Sequence, residues 1–436
     1  MKENNYLLGK KMHNLAKKLW PINRSLTGDG VRQTLLNLKK ICPNLKILEI
    51  PSGKKVFDWT IPKEWNVKEA WIKNQDGKKI VDFSKNNLHL MGYSVPIYIK
   101  LSLKKLKKNL YTLKKQPSAI PYITSYYKKN WGFALPYKIF KKLKNEKYEV
   151  FINSELKNGN LTLGEIYIPG KKKKEILIST NICHPSMANN ELSGPVVSIY
   201  LAKWIKSKKN RKYFYIFLFL PETIGSITYL SKKFKYLKKY VIAGFNVVCV
   251  GDNRAYSYLP SRKGNTLSDI IAKHLLKWKV KKFNKYSWLD RGSDERQYCS
   301  PGIDLPVASI MRSKYATYPE YHTSLDDLSK VVTPAGLDGG FNILKKALQL
   351  IEDNFLLKSL NQEKIEYDKK SLYPKINLRS VKFKEHVLKI NNIIHNVDKK
   401  ISAVEIADKL SISFWKFLAL VKILENNKIV KKINYL

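Results

Sequence analysis

The chain has 436 residues, of which 44% are hydrophobic and 12% aromatic. This length predicts two or three domains, and the apolar share excludes a largely disordered chain. The chain contains 81 Lys and Arg residues and 35 Asp and Glu residues, which gives a net charge of +46. Such a charge would suit a nucleic-acid or other anionic partner. The lysines lie in scattered runs, however, so we interpret them mainly as solvated faces.

Cysteine usage and the N-terminal stretch bear on the compartment. Cys42, Cys183, Cys249 and Cys299 form no C-x-x-C pair, which is typical of a reducing compartment rather than of a disulfide scaffold. The first 20 residues have neither the apolar core nor the cleavage site of a signal peptide. No apolar run approaches the roughly 20 residues of a membrane span. We therefore expect a cytoplasmic protein without a membrane span.

The first half of the chain changes character near residue 55. Helical spacing over 6–20 and over GVRQTLLNLKKI predicts two amphipathic helices, and NLKILEI predicts a strand. From about 55 to 165, short aromatic segments bounded by turn residues predict a β-rich insertion. Within it, NSELKNGNLTLGEIYIPG predicts a hairpin around Asn158-Gly159.

After residue 174, continuous apolar strands alternate with helices. EILISTNI, KYFYIFLFLP, VIAGFNVVCVGD and LPVASIMRS are the strands, and the last helix is GLDGGFNILKKALQLIEDNF. This alternation predicts an α/β fold, with a mostly parallel sheet covered by helices on both faces. Functional residues of such folds collect beyond the carboxyl ends of strands, and His184, Glu222 and Asp252 each follow a predicted strand.

The tail, residues 380–436, has the order of a winged helix-turn-helix. FKEHVLKINNIIHNV, SAVEIADKL and FWKFLALVKILENN predict three helices, and KIVKKINYL predicts a wing strand. Ser402 and Glu405 predict a capping box. The third helix offers aromatic residues rather than the Arg, Asn or Gln that read base edges. We therefore favour a protein contact or self-association over DNA binding for this C-terminal domain.

The polar residues that follow the strands form a pattern typical of a metal site. His184 and His322 stand with Glu222 and Asp252 at different strand ends. Imidazole and carboxylate are ligands of catalytic zinc, which keeps one position open for water. The other five of the seven histidines are interpreted as packed or surface residues.

The segments CHPSMANNELSGP, PETIGS, GDNRAYSY, SDERQYC and YHTSLDD together resemble the zinc-dependent aminopeptidase fold of the leucyl-aminopeptidase and glutaminyl-cyclase type. More closely, nearly the whole chain is similar to a bacterial family of aminopeptidase-like proteins associated with polysaccharide biosynthesis. The resemblance implies an aminopeptidase domain, an inserted β-rich domain and a C-terminal winged helix. PINRSLTGDGVR and SPGIDLPVASIMRSKY are also similar to that family.

The resemblance also implies roles for individual residues. His184, Asp252 and His322 match metal ligands, and Glu222 matches the general base that takes a proton from the attacking water. Asn190 stands where the family has an aspartate that bridges two metals, and Thr223 stands where two-zinc members have a glutamate ligand. Because a neutral amide replaces an anionic bridge, we expect one zinc ion rather than two. Its predicted ligands are His184, Asp252 and Asn190 or His322, with Glu191 as a substitute.

Residues near these positions are candidates for binding substrate ends. A carboxylate would hold a free amine, and an arginine would hold a carboxylate or phosphate. An internal salt-bridge network is the alternative interpretation. The candidates are Arg254, Asp294, Glu295, Arg296 and Tyr321.

The sequence thus predicts a discontinuous aminopeptidase-like domain (1–55 and 166–370), an inserted domain (56–165) and a winged-helix-like domain (380–436). The expected function is zinc-dependent hydrolysis of a peptide or amide bond next to a free amine, in a small molecule or peptide connected with glycan precursors. Two alternatives stay open. One is a metal-free scaffold that binds a partner, and the other is a nucleic-acid binder that uses the basic surface and the tail.

Overall fold

The structure is a computed structural model, and it describes residues 6–360, 381–397 and 401–435. The chain divides into two compact units. The first unit comprises Met1–Ser268 and Lys282–Lys345, and the second comprises Asp269–Lys281 and Lys346–Leu436. Positions 361–370 of the predicted aminopeptidase-like domain lie outside the described residues. The predicted domain boundaries themselves stay predictions.

The helices are α1 Leu7–Leu19, α2 Asp29–Ile41, α3 Leu103–Leu106, α4 Tyr137–Phe140, α5 Ser193–Ser207, α6 Ile224–Tyr240, α7 Leu267–Lys279, α8 Glu295–Tyr298, α9 Pro334–Asp353, α10 Val381–His395, α11 Ala403–Lys409 and α12 Phe414–Asn426. The strands are β1 Lys46–Pro51, β2 Lys55–Val56, β3 Trp59–Thr60, β4 Glu64–Lys73, β5 Lys79–Asp82, β6 Ile97–Ser102, β7 Leu110–Tyr111, β8 Phe133–Ala134, β9 Lys147–Lys157, β10 Asn160–Ile168, β11 Lys172–Asn181, β12 Tyr213–Leu220, β13 Val241–Asn246, β14 Ser257–Leu259, β15 Asn284–Lys285, β16 Val307–Met311, β17 Phe355–Ser359 and β18 Val430–Asn434.

The first unit is built on a mixed sheet. Its strand order among the described residues is β1-β10-β12-β11-β13-β16-β14-β15. The central strands β12, β11, β13 and β16 pair in parallel. The antiparallel pairs are β1 with β10, β10 with β12, and β14 with β16. The residues of β16 and nearly all of β12 are buried, because helices cover a parallel sheet on both sides.

The connections of the central strands explain where the helices lie. The chain passes from β11 through α5 to β12, and from β12 through α6 to β13 on the other side of β11. These two connections run in opposite directions across the sheet. Because both are expected to be right-handed, they place α5 and α6 on opposite faces of the sheet. Helix α5 packs against α1 and α2, and α6 against α8. The predicted α/β class is therefore confirmed, and the loops after β11, β12 and β13 meet at one edge.

The predicted insertion contains an antiparallel sheet of its own, with the order β5-β4-β9-β6. The predicted hairpin around Asn158-Gly159 is wrong, because β9 pairs with β4 and β6 while β10 joins the large sheet. The Gly159 carbonyl accepts a hydrogen bond from the Ser52 N–H (2.9 Å), and the Asn160 N–H donates to Glu64 (3.0 Å). These contacts accompany the separation of β9 and β10 into two different sheets.

The second unit contains the predicted tail elements α10, α11, α12 and β18 in the expected order. Strand β18 pairs antiparallel with β17, which precedes the predicted boundary at 380. Ser402 and Glu405 form the predicted capping box of α11. Phe414 and Phe417 of α12 are buried, whereas Trp415 is 38% exposed. The winged-helix assignment stays a prediction.

Among the described residues, no helix combines the length and the apolar character that a membrane crossing requires.

Candidate metal and active site

The loops after the central strands carry several residues with unusual backbone angles. Ser186, Thr223, Cys249 and His322 have φ values of +42°, +67°, +51° and +56°. Left-handed backbone is unfavourable for residues other than glycine, and most of all for a β-branched residue such as Thr223. Such strain persists where the surrounding structure enforces it, commonly at functional sites. These four positions therefore mark the strand-end loops as a candidate site.

Cys183, His184 and Glu191 form a buried group whose potential ligand atoms all lie within 4.8 Å of one another. His184 Nδ1 is 2.6 Å from Glu191 Oε2 and 3.6 Å from Cys183 Sγ. Burial alone would lower the pKa of His184, but Cys183 and Glu191 hold it well above its ordinary value. Burial raises the pKa of the Cys183 thiol to about 11. Glu191 Oε1 is buried without a hydrogen-bond partner among the described residues, so it can accept a cation.

Arg24 supports this group from the N-terminal segment. Its Nε donates to the His184 carbonyl (3.1 Å) and its Nη1 to the Leu19 carbonyl (2.7 Å). Burial lowers the pKa of Arg24 to about 10, and the charge of Glu191 opposes that shift. Arg24 thereby fixes the backbone of His184 and adds positive charge near the carboxylate.

Glu222, the predicted general base, lies beside His184. Its Oε1 accepts a hydrogen bond from Ser293 Oγ (2.7 Å), and its Oε2 lies 3.7 Å from His184 Nε2. The Glu222 backbone N–H donates to Cys183 Sγ (3.2 Å). Ser293 thus orients one carboxylate oxygen, and the Glu222 side chain as a whole is 23% exposed.

His322 is close to His184, with 5.5 Å between the ring centroids. Tyr122 lies edge-on to both rings, at 5.1 Å from His184 and 5.3 Å from His322. Tyr321 stacks on His322 at 3.9 Å. Burial, together with the proximity of His184, lowers the pKa of His322 to about 3. His322 is therefore held as a neutral imidazole at the edge of the group.

The predicted ligand Asp252 has a different set of contacts. Its Oδ1 accepts from Ser313 Oγ (2.9 Å) and the Arg254 N–H (2.9 Å), and its Oδ2 accepts from Asn189 Nδ2 (2.9 Å) and the Ser313 N–H (2.8 Å). Both oxygens already have two donors, and the metal-ligand role of Asp252 stays a prediction. Its contacts fix the loop after β13 to Asn189, the neighbour of the predicted ligand Asn190.

Asn190 is held through its backbone, whose N–H donates to Asp326 Oδ2 (2.9 Å). The N–H of Asn189 and the hydroxyl of Tyr318 also donate to the Asp326 carboxylate. Asn190 Nδ2 is buried and has no partner among the described residues. By turning over its amide, Asn190 could present an oxygen at that position, so its ligand role stays a prediction.

The predicted substrate-binding residues mostly have internal partners. Asp294 Oδ1 accepts from the Thr223 N–H (2.8 Å) and Ser226 Oγ (2.8 Å). Burial, and then the charge of Glu222, raise the pKa of Asp294 to about 7. Buried Glu295 accepts hydrogen bonds from the backbone of Gly292 and Ser293 and from the side chains of Tyr315 and Asn246.

Arg254 forms a bidentate ion pair with Glu320 (2.8 and 2.9 Å). Arg254 therefore has the ion pair that the internal salt-bridge alternative requires, whereas the hydrogen bonds of Asp294 and Glu295 given above have neutral donors, and the substrate-binding roles stay predictions. Arg296 differs, because it lines the cleft and its Nη2 donates to Thr223 Oγ1 (3.2 Å). Tyr321 reaches the site through its stacking on His322.

The site opens into a cleft of about 360 Å³. Its apolar and aromatic lining residues are Leu26, Trp59, Tyr126, Tyr127 and Ile224, and its other described lining residues are Cys183, His184, Glu222, Thr223, Arg296 and Gln297. A cleft of this size, with apolar walls and few convergent polar groups, is typical of a small-ligand site.

The residues present fit a zinc ion. Thiolate, imidazole and carboxylate are the ligands that zinc takes in proteins, and Cys183, His184 and Glu191 bring one of each together. The unpartnered Oε1 of Glu191 is the kind of buried atom that a cation would satisfy. Among the described residues, this group contains one of the four predicted ligands, His184, together with Glu191, which the sequence offered as a substitute ligand. Cys183 is absent from the sequence prediction, although it directly precedes His184.

Comparison with known proteins gives the class first. BSAP, a zinc aminopeptidase from Bacillus subtilis, superposes with a TM-score of 0.57, covering 79% of this chain and 95% of that chain at 13% identity. This likeness establishes a zinc-aminopeptidase-like fold. The chain belongs to the family described as a domain of unknown function, DUF4910, which matches residues 13–354.

A curated relative and a crystal structure, both from Clostridium acetobutylicum, extend the likeness. One, provisionally named a polysaccharide biosynthesis protein with an aminopeptidase-like domain, is 44% identical over 359 residues, which are 82% of each chain. The other is the crystal structure of a provisionally named peptidase, with a TM-score of 0.89 and 39% identity over 99% of this chain and 98% of that chain. The resemblance inferred from the sequence is therefore confirmed.

Proposed function

We propose that the chain is a zinc-dependent, aminopeptidase-like hydrolase that cleaves a peptide or amide bond next to a free amine. The observation that carries the proposal is the position of Glu222. Ser293 holds one of its carboxylate oxygens at 2.7 Å, and the other lies 3.7 Å from His184 in the wall of the cleft. A carboxylate placed in this way beside a metal-binding group has the geometry of a general base.

The chain's own residues supply the proton transfers. Zinc, when bound, polarises the substrate carbonyl and acidifies water. Glu222 accepts the proton at Oε2 and passes it to the leaving amine, while Ser293 keeps the carboxylate oriented. The aromatic walls of the cleft exclude bulk water and strengthen the electrostatic interactions inside it.

We propose a single zinc ion held by Cys183, His184 and Glu191. The same single-ion count was expected from the neutral Asn190, but with a different set of ligands. Two features argue against a second ion. The Asp252 carboxylate already has four hydrogen-bond donors, and Thr223 provides no carboxylate. His322 and Asn190 remain candidates for a further ligand of the one ion.

The test combines metal analysis with turnover. The purified chain, dialysed against zinc, should hold about one zinc per chain and release the amine from aminoacyl amides or dipeptides in a broad substrate panel. Glu222→Gln should keep its zinc and lose roughly 10² to 10⁴ in kcat, the contribution that a general base makes to the rate. Glu191→Gln should lose zinc as well as turnover.

The exposed Glu155, on β9, provides the matched control, and Glu155→Gln should change neither zinc content nor rate. A chain that stays free of metal after zinc treatment would contradict the proposal and favour the non-catalytic scaffold. Full activity in Glu222→Gln would contradict the assignment of the base.

The wider setting belongs to the same proposal. The name of the 44% identical relative supports a substrate from polysaccharide or glycan-precursor metabolism. The four cysteines are free and buried, which supports a reducing, cytoplasmic compartment. We also propose a protein partner or self-association for residues 380–436, supported by the exposed Trp415 and Ile423 of α12. A nucleic-acid partner is the less favoured alternative.

A further inference from the structure

A second cavity, of about 420 Å³, adjoins the catalytic cleft. Tyr126 and Tyr127 line both spaces. A ligand that fills the cleft therefore reaches the same two side chains that bound the second cavity. The proposed hydrolysis assigns no role to this second cavity.

The wall between the two spaces is fixed by contacts on both sides. The Tyr126 hydroxyl is 3.3 Å from that of Tyr122, and its ring lies edge-on to Tyr93 at 5.9 Å. Tyr127 donates a hydrogen bond to the Thr60 carbonyl (2.7 Å). Because Tyr122 also contacts His184, a continuous set of aromatic contacts connects the metal-binding group with the second cavity.

The two spaces differ in charge. The second cavity is lined by Lys63, Lys128 and Lys129, all exposed, and no acidic side chain is among its described lining residues. The lining of the catalytic cleft instead contains charges of both signs, from Glu222 and Arg296. Lysines are common throughout this chain, so lysines alone mean little. What distinguishes these three is that they surround a cavity that shares an aromatic wall with the catalytic cleft.

We propose that the second cavity binds an anionic group, a carboxylate or a phosphate, at the far end of the substrate whose scissile bond lies beside Glu222. The placement of that bond rests on the proposed function, whereas the affinity of the cavity for anions does not. An ammonium group is a mobile point charge that pairs with either anion. Tyr93, Tyr126 and Tyr127 provide an aromatic surface for the body of the ligand between its two ends.

The inferred substrate class therefore has a free amine at one end and an anion at the other. A short peptide with a free carboxylate belongs to this class, and so does an aminoacyl compound that carries a phosphate. The test uses three probes with the same amine end: alanylalanine, alanylalanine amide and the amide of alanyl-phosphoserine. Binding to Glu222→Gln is measured by calorimetry at low salt, so that turnover does not consume the probe.

Both anionic probes, or one of them, should bind about five- to tenfold more tightly than alanylalanine amide, since each exposed ion pair contributes a modest amount. Adding Lys128→Ala and Lys129→Ala should remove that difference. The control pair Lys104→Ala and Lys105→Ala removes two exposed lysines from α3 and should leave the difference intact. Preference for the phosphorylated probe alone would identify phosphate as the anion, and equal preference would show that a carboxylate suffices.

Equal binding of all three probes would overturn the proposal. So would a preference that persists in the Lys128→Ala and Lys129→Ala variant, because the overall charge would then explain it. Wild-type turnover of the same probes is recorded separately. Turnover without an anion preference would refute the second cavity alone, whereas a lysine-dependent preference in a chain that turns over nothing in the broad substrate panel would refute the hydrolase alone.

Discussion

At the scale of single residues, the site depends on how the Glu222 carboxylate is oriented. Ser293 Oγ donates to Glu222 Oε1 at 2.7 Å and also contacts Asn181 Nδ2 at 3.3 Å. Ser293→Ala removes the donor without touching the substrate. We expect kcat to fall roughly ten- to a hundredfold with KM nearly unchanged, because a misoriented catalytic group loses rate rather than binding. Steady-state kinetics on the best substrate of the panel would measure this.

Ser293→Thr keeps the hydroxyl and should recover most of the lost kcat. Ser300→Ala is the matched control, since the Ser300 hydroxyl donates to the Gln297 carbonyl and not to Glu222. If Ser293→Ala raised KM and left kcat unchanged, Ser293 would have a binding role instead of a positioning role.

The amino-acid sequence predicts part of this arrangement of side chains. Strand ends predicted that His184, Glu222 and His322 would gather, and the structure brings these side chains together. The sequence could not show side-chain direction, nor whether neighbouring residues in a loop point the same way or different ways. Thus Asn189 bonds to Asp252, and Cys183 joins His184 in the metal-binding group.

At the scale of elements, local turn chemistry was outweighed by long-range contacts. Asn158-Gly159 between alternating residues is a strong hairpin signal, yet β9 and β10 belong to different sheets. A Cβ at Gly159 would lie 2.4 Å from Glu64 Oε2. The glycine therefore serves the close approach of the Glu64 carboxylate, which no local pattern reveals.

That carboxylate joins three elements. Glu64, at the start of β4, is 5% exposed and accepts hydrogen bonds from Arg32 of α2 and from the backbone of Asn160 in β10. Burial alone would raise the pKa of Glu64, but these donors hold it below its ordinary value. A carboxyl group whose pKa is lower in the folded chain than in the unfolded chain stabilises the fold at pH values above its unfolded pKa. That stabilisation is lost as the pH falls through its folded pKa.

Glu64→Gln should therefore lower the free energy of unfolding by about 1.5–3 kcal/mol near neutral pH. The difference from wild type should shrink as the pH falls through about 4 and below. Urea unfolding followed by tryptophan fluorescence at both pH values would measure it. Glu49→Gln is the control, because Glu49 is 44% exposed and 3.9 Å from Arg32. If Glu64→Gln lowered the free energy of unfolding by the same amount at low pH, the effect would come from packing and not from charge.

At the scale of the whole molecule, the question is whether the charge of +46 has a particular binding surface. The exposed residues of α12 include Trp415, Lys416 and Lys422, and sequence-specific readers normally offer Arg, Asn or Gln to the bases. Because cations are spread along the chain, we expect weak DNA binding that does not depend on base sequence.

Fluorescence anisotropy with two unrelated labelled duplexes should give equal affinities. Both should fall by orders of magnitude between about 50 and about 200 mM salt, since counterion release governs such binding. Lys416→Ala with Lys422→Ala should weaken binding no more than the control pair Lys104→Ala with Lys105→Ala, because each pair removes two of the 81 cations. Loss of binding in the α12 pair alone would instead make the second unit a nucleic-acid module, and preference for one duplex would show recognition of base sequence.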